Sequence, residues 1–304
     1  MEDIGLEEKG VSPVAVSEPF PLFTEEAVMR FREEAFTKDV FDHCSRPSNL
    51  TACQLRGFAY KYSPFIYDAW KNPEVLRIIS SIAGVDLVPA YDLEIGSINL
   101  SVRPLEEVED DLRDQRESSD IDQDAIVGWH TDSFPFVCFV MLSDCTNMIG
   151  GETAMRTGTG NIIKVRGTQM GWRVVMQGRY IEHKALQALN STERIAMATP
   201  FRPKSPFVRD DTILTSVRPI SDLEELYTQF SEYRLEILEE RIRAELKEIR
   251  ERRMTGRGIS TKKLKQFLEE QKLFLEHMNR EMVDEDQVQL GWVDVKTMTK
   301  SALT

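Results

Sequence analysis

Residues 128–142 read Gly-Trp-His-Thr-Asp-Ser-Phe-Pro-Phe-Val-Cys-Phe-Val-Met-Leu. From Phe134 to Ser143 the chain is rich in Phe and Val, a composition that suits a pleated, buried surface, and it reads as a β-strand. Just ahead of that run stand two polar groups, His130 and Asp132. In an extended segment residues two apart point the same way, so an imidazole and a carboxylate can be aimed at one spot.

Working outward, the same texture recurs in 98–102, 152–157, 161–165, 171–177, 180–186 and 194–201. Turn residues separate these runs, and Gly158-Thr159-Gly160 suits a hairpin. Many short strands at even spacing imply an all-β sandwich or barrel. The run 180–186 carries His183, 51 positions after Asp132, and a strand on the far side of a small barrel would bring it to the same spot. Two imidazoles and one carboxylate hold one face of an octahedral metal ion and leave the other positions open, and this N/O set without thiolate suits Fe(II). A His-x-Asp tripeptide is common by chance; the β context and the distal histidine are what raise it. The other two histidines read otherwise: His43 lies in a polar loop and His277 on a charged helix, where solvation is expected.

The flanks differ in character. Residues 1–22 are acidic and Pro-bearing and read as a loose tail, laid on the surface or disordered. Thr24 then caps a short helix with Glu25 and Glu26 in its first turn, and a second helix runs from Pro73 to a stop at Gly84. The insert 106–124 is strongly acidic and reads as an exposed, mobile loop. Beyond Arg218, Leu223, Leu226, Phe230, Tyr233, Ile237, Ile242, Leu246 and Ile249 recur at helical spacing. Gly256 and Gly258 break this helix and a second follows, so a charged helical hairpin is expected, packed on the barrel or on a partner subunit as a homodimer. The chain thus divides into a tail (1–22), a mainly β domain with flanking helices (23–216) and a helical extension (217–304).

Lys and Arg total 38 against 51 Asp and Glu, a net charge of −13. That balance argues against nucleic acid or an anionic membrane as partner. The first residues have neither the basic start nor the apolar core of a secretory signal, no stretch approaches membrane-helix length, and a cytoplasmic location is expected. Cys44, Cys53, Cys138 and Cys145 form no C-x-x-C pair and read as reduced, packed thiols. The sequons at Asn49 and Asn190 read as accidental in such a chain.

Over roughly residues 90–205 the sequence resembles the Fe(II)/2-oxoglutarate-dependent dioxygenases, in particular fungal natural-product-type members. The residues that carry the likeness are Trp129-His130-Thr131-Asp132, Gly150-Gly151-Glu152-Thr153, Ile181-Glu182-His183 and Glu193-Arg194-Ile195-Ala196. The resemblance implies a double-stranded β-helix (jelly-roll, cupin-like) core, with Fe(II) on His130, Asp132 and His183. It implies 2-oxoglutarate and O2 as cosubstrates, with ascorbate as a reductant, and hydroxylation, desaturation or cyclisation of a small-molecule substrate in specialised metabolism. It also implies a basic anchor for the distal carboxylate of 2-oxoglutarate. Arg194, 11 positions after His183, is first choice and Arg202 second, while Asn99 would contact cosubstrate or substrate. Such relatives often have Ser or Thr two residues after the anchor. Here Ala196 stands there, so the cosubstrate would be held with one fewer hydrogen bond, or by Thr199 or Thr153 instead. A 2-oxoglutarate-independent iron oxidase and an inactive cupin-like binding or scaffold protein are the competing readings.

Overall fold

The computed structural model describes residues 1–49, 51, 53–102, 125–146, 148–165, 169–186, 188–189 and 191–294. The acidic insert 106–124 and the sequon at Asn190 lie outside the described residues. The strands, in chain order, are β1 (Phe20–Pro21), β2 (Gln54–Leu55), β3 (Leu87–Pro89), β4 (Ser97–Val102), β5 (Ala125–His130), β6 (Phe136–Met141), β7 (Ile149–Gly150), β8 (Thr153–Arg156), β9 (Ile162–Val165), β10 (Trp172–Met176), β11 (His183–Leu186), β12 (Ala188–Leu189) and β13 (Glu193–Pro203).

All the pairings are antiparallel. The larger sheet runs β1-β10-β6-β13-β4-β2 with β3 on β13, the smaller β5-β11-β8-β9, and β12 pairs with β7. The chain shuttles between the two main sheets: β4 in the larger, β5 in the smaller, β6 in the larger, β8 and β9 in the smaller, then β10, β11 and β13 in alternation. A seven-stranded and a four-stranded antiparallel layer wound in this way form a double-stranded β-helix, the jelly roll expected for the core.

The two-residue period of β13 shows how the core and a cavity share one strand. Ile195, Met197 and Phe201 point outward into the main hydrophobic core, whereas Arg194, Ala196, Ala198 and Pro200 line a cavity between the sheets. Small inward side chains, Ala185 among them, leave space that large ones would fill.

The helices close the outer face of the larger sheet. They are α1 (Glu25–Ala35), α2 (Lys38–Cys44), α3 (Ala59–Tyr62), α4 (Pro64–Lys71) and α5 (Pro73–Ala83). Thr24 caps α1 by accepting from the Ala27 amide, and Pro73 and Gly84 bound α5 as expected, Gly84 with φ of 71°. Phe31 and Trp70 are fully buried in the main core, Trp70 against Phe201 of β13, and the indole N–H of Trp70 donates to Met197 Sδ at 3.3 Å.

The first seventeen residues lie on the protein. Met1, Ile4, Leu6 and Ala15 are buried. The Gln177 side chain accepts from the Val11 amide at 2.9 Å and donates to the Val14 carbonyl at 2.6 Å. The expected hairpin forms α6 (Leu223–Met254) and α7 (Thr261–Glu281). The N-terminal half of α6 buries Leu226, Phe230, Tyr233 and Ile237 with Phe134 and Tyr91, while Ile242 and Leu246 further along are exposed. His277 is not simply solvated as its helix suggested: it is half-buried, with Nδ1 3.4 Å from the Arg234 guanidinium. No described helix is long and apolar enough to cross a membrane.

Candidate metal centre

β11 and β5 pair so that His183 sits directly opposite His130, and the turn after β10 brings the Gly178 carbonyl to the Asp132 amide at 2.9 Å. Sheet register thus closes the 51-residue gap. Asp132 Oδ1 lies 3.7 Å from His130 Nε2 and 3.6 Å from His183 Nε2. The three ligand atoms all fall within 4.8 Å of one another, the one such cluster of His, Cys, Asp and Glu among the described residues. The edge of an octahedral face with bonds of about 2.1 Å is about 3 Å, so each of the two Asp132 contacts need only close by well under an ångström to meet a metal.

Both imidazoles are fixed in the same way. His130 Nδ1 is 2.8 Å from the Gly128 carbonyl and His183 Nδ1 is 2.9 Å from the Ile181 carbonyl. A carbonyl only accepts, so each Nδ1 carries the proton and each Nε2 turns its lone pair toward Asp132. Burial, reinforced by the neighbouring His183, pushes the His130 pKa down to about 4, against the pull of Asp132, so the ring is a neutral ligand at physiological pH. Asp132 Oδ2 is buried with no hydrogen-bond partner. An orphaned carboxylate oxygen beside two lone pairs is an arrangement that a cation completes. These residues therefore fit a divalent metal.

The cavity that holds the triad has a volume of about 240 Å³ and is also lined by Asn99, Thr153 and Arg194. Arg194 makes no hydrogen bond or ion pair among the described residues, and its Nε is buried without a partner. Burial lowers its pKa. The adjacent Glu193 faces away, gripped by Arg32 at 2.9 and 3.1 Å. Arg194 is thus a half-buried cation, its Nε enclosed, with no counter-ion among the described residues, in the same cavity as three metal-type ligands.

The other residues marked in the sequence fall differently. Arg202 does not line the cavity: its Nε donates to the Ala90 carbonyl at 3.2 Å and its guanidinium covers the Tyr233 ring at 4.6 Å. Thr199 faces outward and accepts from the Gly96 amide at 2.9 Å. Phe134 walls the cavity, while Trp129 lies beneath Arg156 and Lys184.

Sequence reading missed the supports of the triad. Gly178 is packed against Asp132 so closely that no side chain fits there. Arg179, two positions short of Ile181, reaches from Asp211 to the Thr131 hydroxyl at 3.3 Å. Ser133 accepts at its carbonyl from the Ile213 amide at 2.9 Å. A glycine in a turn and an arginine beside it carry no local mark of such duties; only the register of β10 against β6 brings them there.

No protein-family model and no curated protein matches the sequence. Among solved structures the chain is similar to a 2OG-Fe(II) oxygenase family oxidoreductase from Burkholderia pseudomallei, at 12% identity and TM-score 0.36 over 49% of this chain and 65% of that one, just under two thirds of its length. It is also similar to SnoN, an alpha-ketoglutarate-dependent epimerase from nogalamycin biosynthesis (15% identity, TM-score 0.42, 62% of this chain and 78% of that one). A third is HygX from Streptomyces hygroscopicus, with nickel and 2-oxoglutarate bound (13% identity, TM-score 0.41, 61% and 82%). Likeness at this level is too distant to bear on chemistry, which rests on the cavity itself.

Proposed function

We propose that this chain is a non-haem iron oxygenase that couples oxidative decarboxylation of 2-oxoglutarate to oxidation of a small organic substrate. The observation that carries the reading is Arg194: a guanidinium whose Nε is buried, with no counter-ion among the described residues, sharing one cavity with His130, Asp132 and His183. Burying a lone cation is costly unless an anion meets it, and a guanidinium grips a carboxylate by two parallel hydrogen bonds.

His130 Nε2, His183 Nε2 and Asp132 Oδ1 would hold Fe(II), and the backbone carbonyls of Gly128 and Ile181 keep both rings in the ligating tautomer. Arg194 binds the distal carboxylate of 2-oxoglutarate and so sets which end faces the triad. Asn99 and Thr153 offer further hydrogen bonds from the same cavity walls. Val137, Phe139, Met155 and Met176 exclude water around the substrate's reacting carbon. Bound iron supplies O2 activation, with 2-oxoglutarate leaving as succinate and CO2 and a substrate C–H bond oxidised; the outcome would be hydroxylation, desaturation or ring closure. A role in specialised metabolism, like that of the fungal enzymes the sequence resembles, belongs to the same proposal.

The test is anaerobic addition of Fe(II) and then 2-oxoglutarate to metal-free protein, following the weak visible charge-transfer band of the chelate. The band should appear, vanish in His183→Ala, and need far more 2-oxoglutarate in Arg194→Gln. Metal binding without a band would point to a 2-oxoglutarate-independent oxidase, and no metal binding would point to a binding or scaffold protein.

Self-association through α6 is a second proposal, carried by its exposed stripe of Leu235, Ile242 and Leu246. Glu232, Glu236 and Glu239 precede the middle of that face and Arg250 and Arg253 follow it, so an antiparallel pair of α6 helices sets acidic against basic halves. Sedimentation of Ile242→Glu against the parent protein tests it: a dimer that becomes a monomer supports the pairing, and a monomeric parent refutes it.

A further inference from the structure

The cavity has a second charged end. Along β13 its inward residues run Arg194, Ala196, Ala198 and Pro200, six positions that span about 20 Å of extended chain. Arg194 marks one end. At the other, Ala198 pairs across the sheet with Ser97, and the Ser97 hydroxyl lies 3.4 Å from the Glu94 carbonyl. Glu94 and Arg56 both line the cavity there, joined by an Nη2–Oε1 contact of 2.5 Å. Their side chains are only 2% and 6% exposed. Arg56 Nε is buried with no partner, and burial outweighs the nearby guanidinium in raising the Glu94 pKa.

An ion pair that only tied β2 to the 92–94 turn would have no need to face the cavity or to leave an N–H unused. This one does both. Its charges cancel, so a charged ligand group would arrive with no counter-ion left for it, and buried charge without a partner is disfavoured. What the pair offers is one free donor, Arg56 Nε–H, beside one carboxylate acceptor.

We propose that Arg56 and Glu94 form the head-group subsite of this cavity and select a net-neutral substrate bearing a carboxamide; this rests on the reading of the cavity as a substrate site. The amide oxygen accepts from Arg56 Nε and the amide N–H donates to Glu94. The hydrocarbon body then extends along Ala198, Val137 and Met176 toward the two histidines. A carboxylate meets Glu94 as a like charge, an ammonium meets Arg56 as one, and an ester leaves Glu94 without a donor.

The experiment uses four probes on one apolar body: cyclohexanecarboxamide, cyclohexanecarboxylate, methyl cyclohexanecarboxylate and cyclohexylmethylammonium. Each is titrated by ligand-observed NMR at neutral pH into the full, metal-free chain in an Arg194→Gln background, which serves as the parent and keeps the carboxylate probe from the guanidinium at the far end of the cavity. The carboxamide should bind tightest, by about tenfold or more over the others. Glu94→Gln strips Arg56 of its counter-ion, and the carboxylate should then overtake the carboxamide. Arg56→Lys keeps the charge pair but removes the Nε donor, and the carboxamide should fall to the level of the ester. An equal or better affinity for any other probe in the parent protein overturns the proposal, as does an unchanged order in the variant that folds. The iron–2-oxoglutarate band is recorded in parallel. Its absence would sink the oxygenase reading while the metal-free titrations still decide the subsite.

Discussion

Replacing Gly178 with alanine should remove the metal while leaving the fold. A Cβ built on Gly178 would sit 1.9 Å from Asp132 Oδ2, 2.7 Å from its Cγ and 3.0 Å from its Cβ. Ordinary contact between such atoms begins near 3.4 Å, so the carboxylate must retreat by about 1.5 Å. Turning the carboxylate about its last bond relieves only Oδ2; the contacts at Cγ and Cβ require the whole side chain to swing, which carries Oδ1 away from the histidine nitrogens 3.6 and 3.7 Å off. Metal sites tolerate errors of about 0.2 Å in ligand position, well short of that movement. Loss of an outer support alone costs about 10–100-fold in metal affinity, so displacement of a ligand should cost at least about 100-fold. The backbone at Gly178 is not left-handed, and alanine there narrows the unfolded ensemble, so the melting temperature of the metal-free protein should stay near that of the parent. The assay is a competition titration of Co(II) or Fe(II) against a chelator, with a thermal melt of the metal-free form and Gly258→Ala, whose Cβ meets nothing within 4 Å, as control. A Gly178→Ala protein that binds metal within a few-fold of the parent would refute the placement of Asp132.

Other outcomes can be stated more briefly. Arg194→Gln should weaken 2-oxoglutarate binding by about 10–150-fold, the worth of one charge-assisted interaction of roughly 1.5–3 kcal/mol, and leave metal affinity unchanged in the chelator titration. Trp70→Ala should cost about 3–5 kcal/mol by denaturant unfolding, because it empties a fully buried site between α4 and Met197. Burial, with Arg234 and Arg280 nearby, holds His277 at a pKa of about 4, so the folded state keeps it neutral while the unfolded chain takes up a proton below about 6.5. Stability of the metal-free protein should therefore decline as pH falls from about 6.5 to about 4. His130, also near 4, contributes in the same window, so His277→Gln should shallow the decline in melting temperature and not abolish it. A pH profile that the substitution leaves unaltered would place His277 in solvent.

Period and turn chemistry carry a long way here. The apolar, Phe- and Val-rich run around 134–143, the run at 194–201, the Thr24 cap, and the Pro73 and Gly84 boundaries are local signals, and local backbone geometry answers to them directly. The short spacing of His130 and Asp132 belongs to the same class, since two residues apart in an extended chain share a face wherever the strand goes. What lay beyond the sequence is whatever depends on two distant segments meeting. That His183 faces His130 follows from the register of β11 on β5. Arg194 and Arg202 look alike in the chain, eight positions apart in one strand; Arg194 lies where that strand opens on the cavity and Arg202 lies beyond it, on Tyr233. Gly178, Arg56 and Glu94 carry no motif at all. Each gains its meaning from a neighbour 38 or more positions away, set by how the two sheets close on one another and how the helices cover them. Side-chain periodicity is a property of a single segment, but a cavity and its charges are properties of packing, and only the tertiary structure decides those.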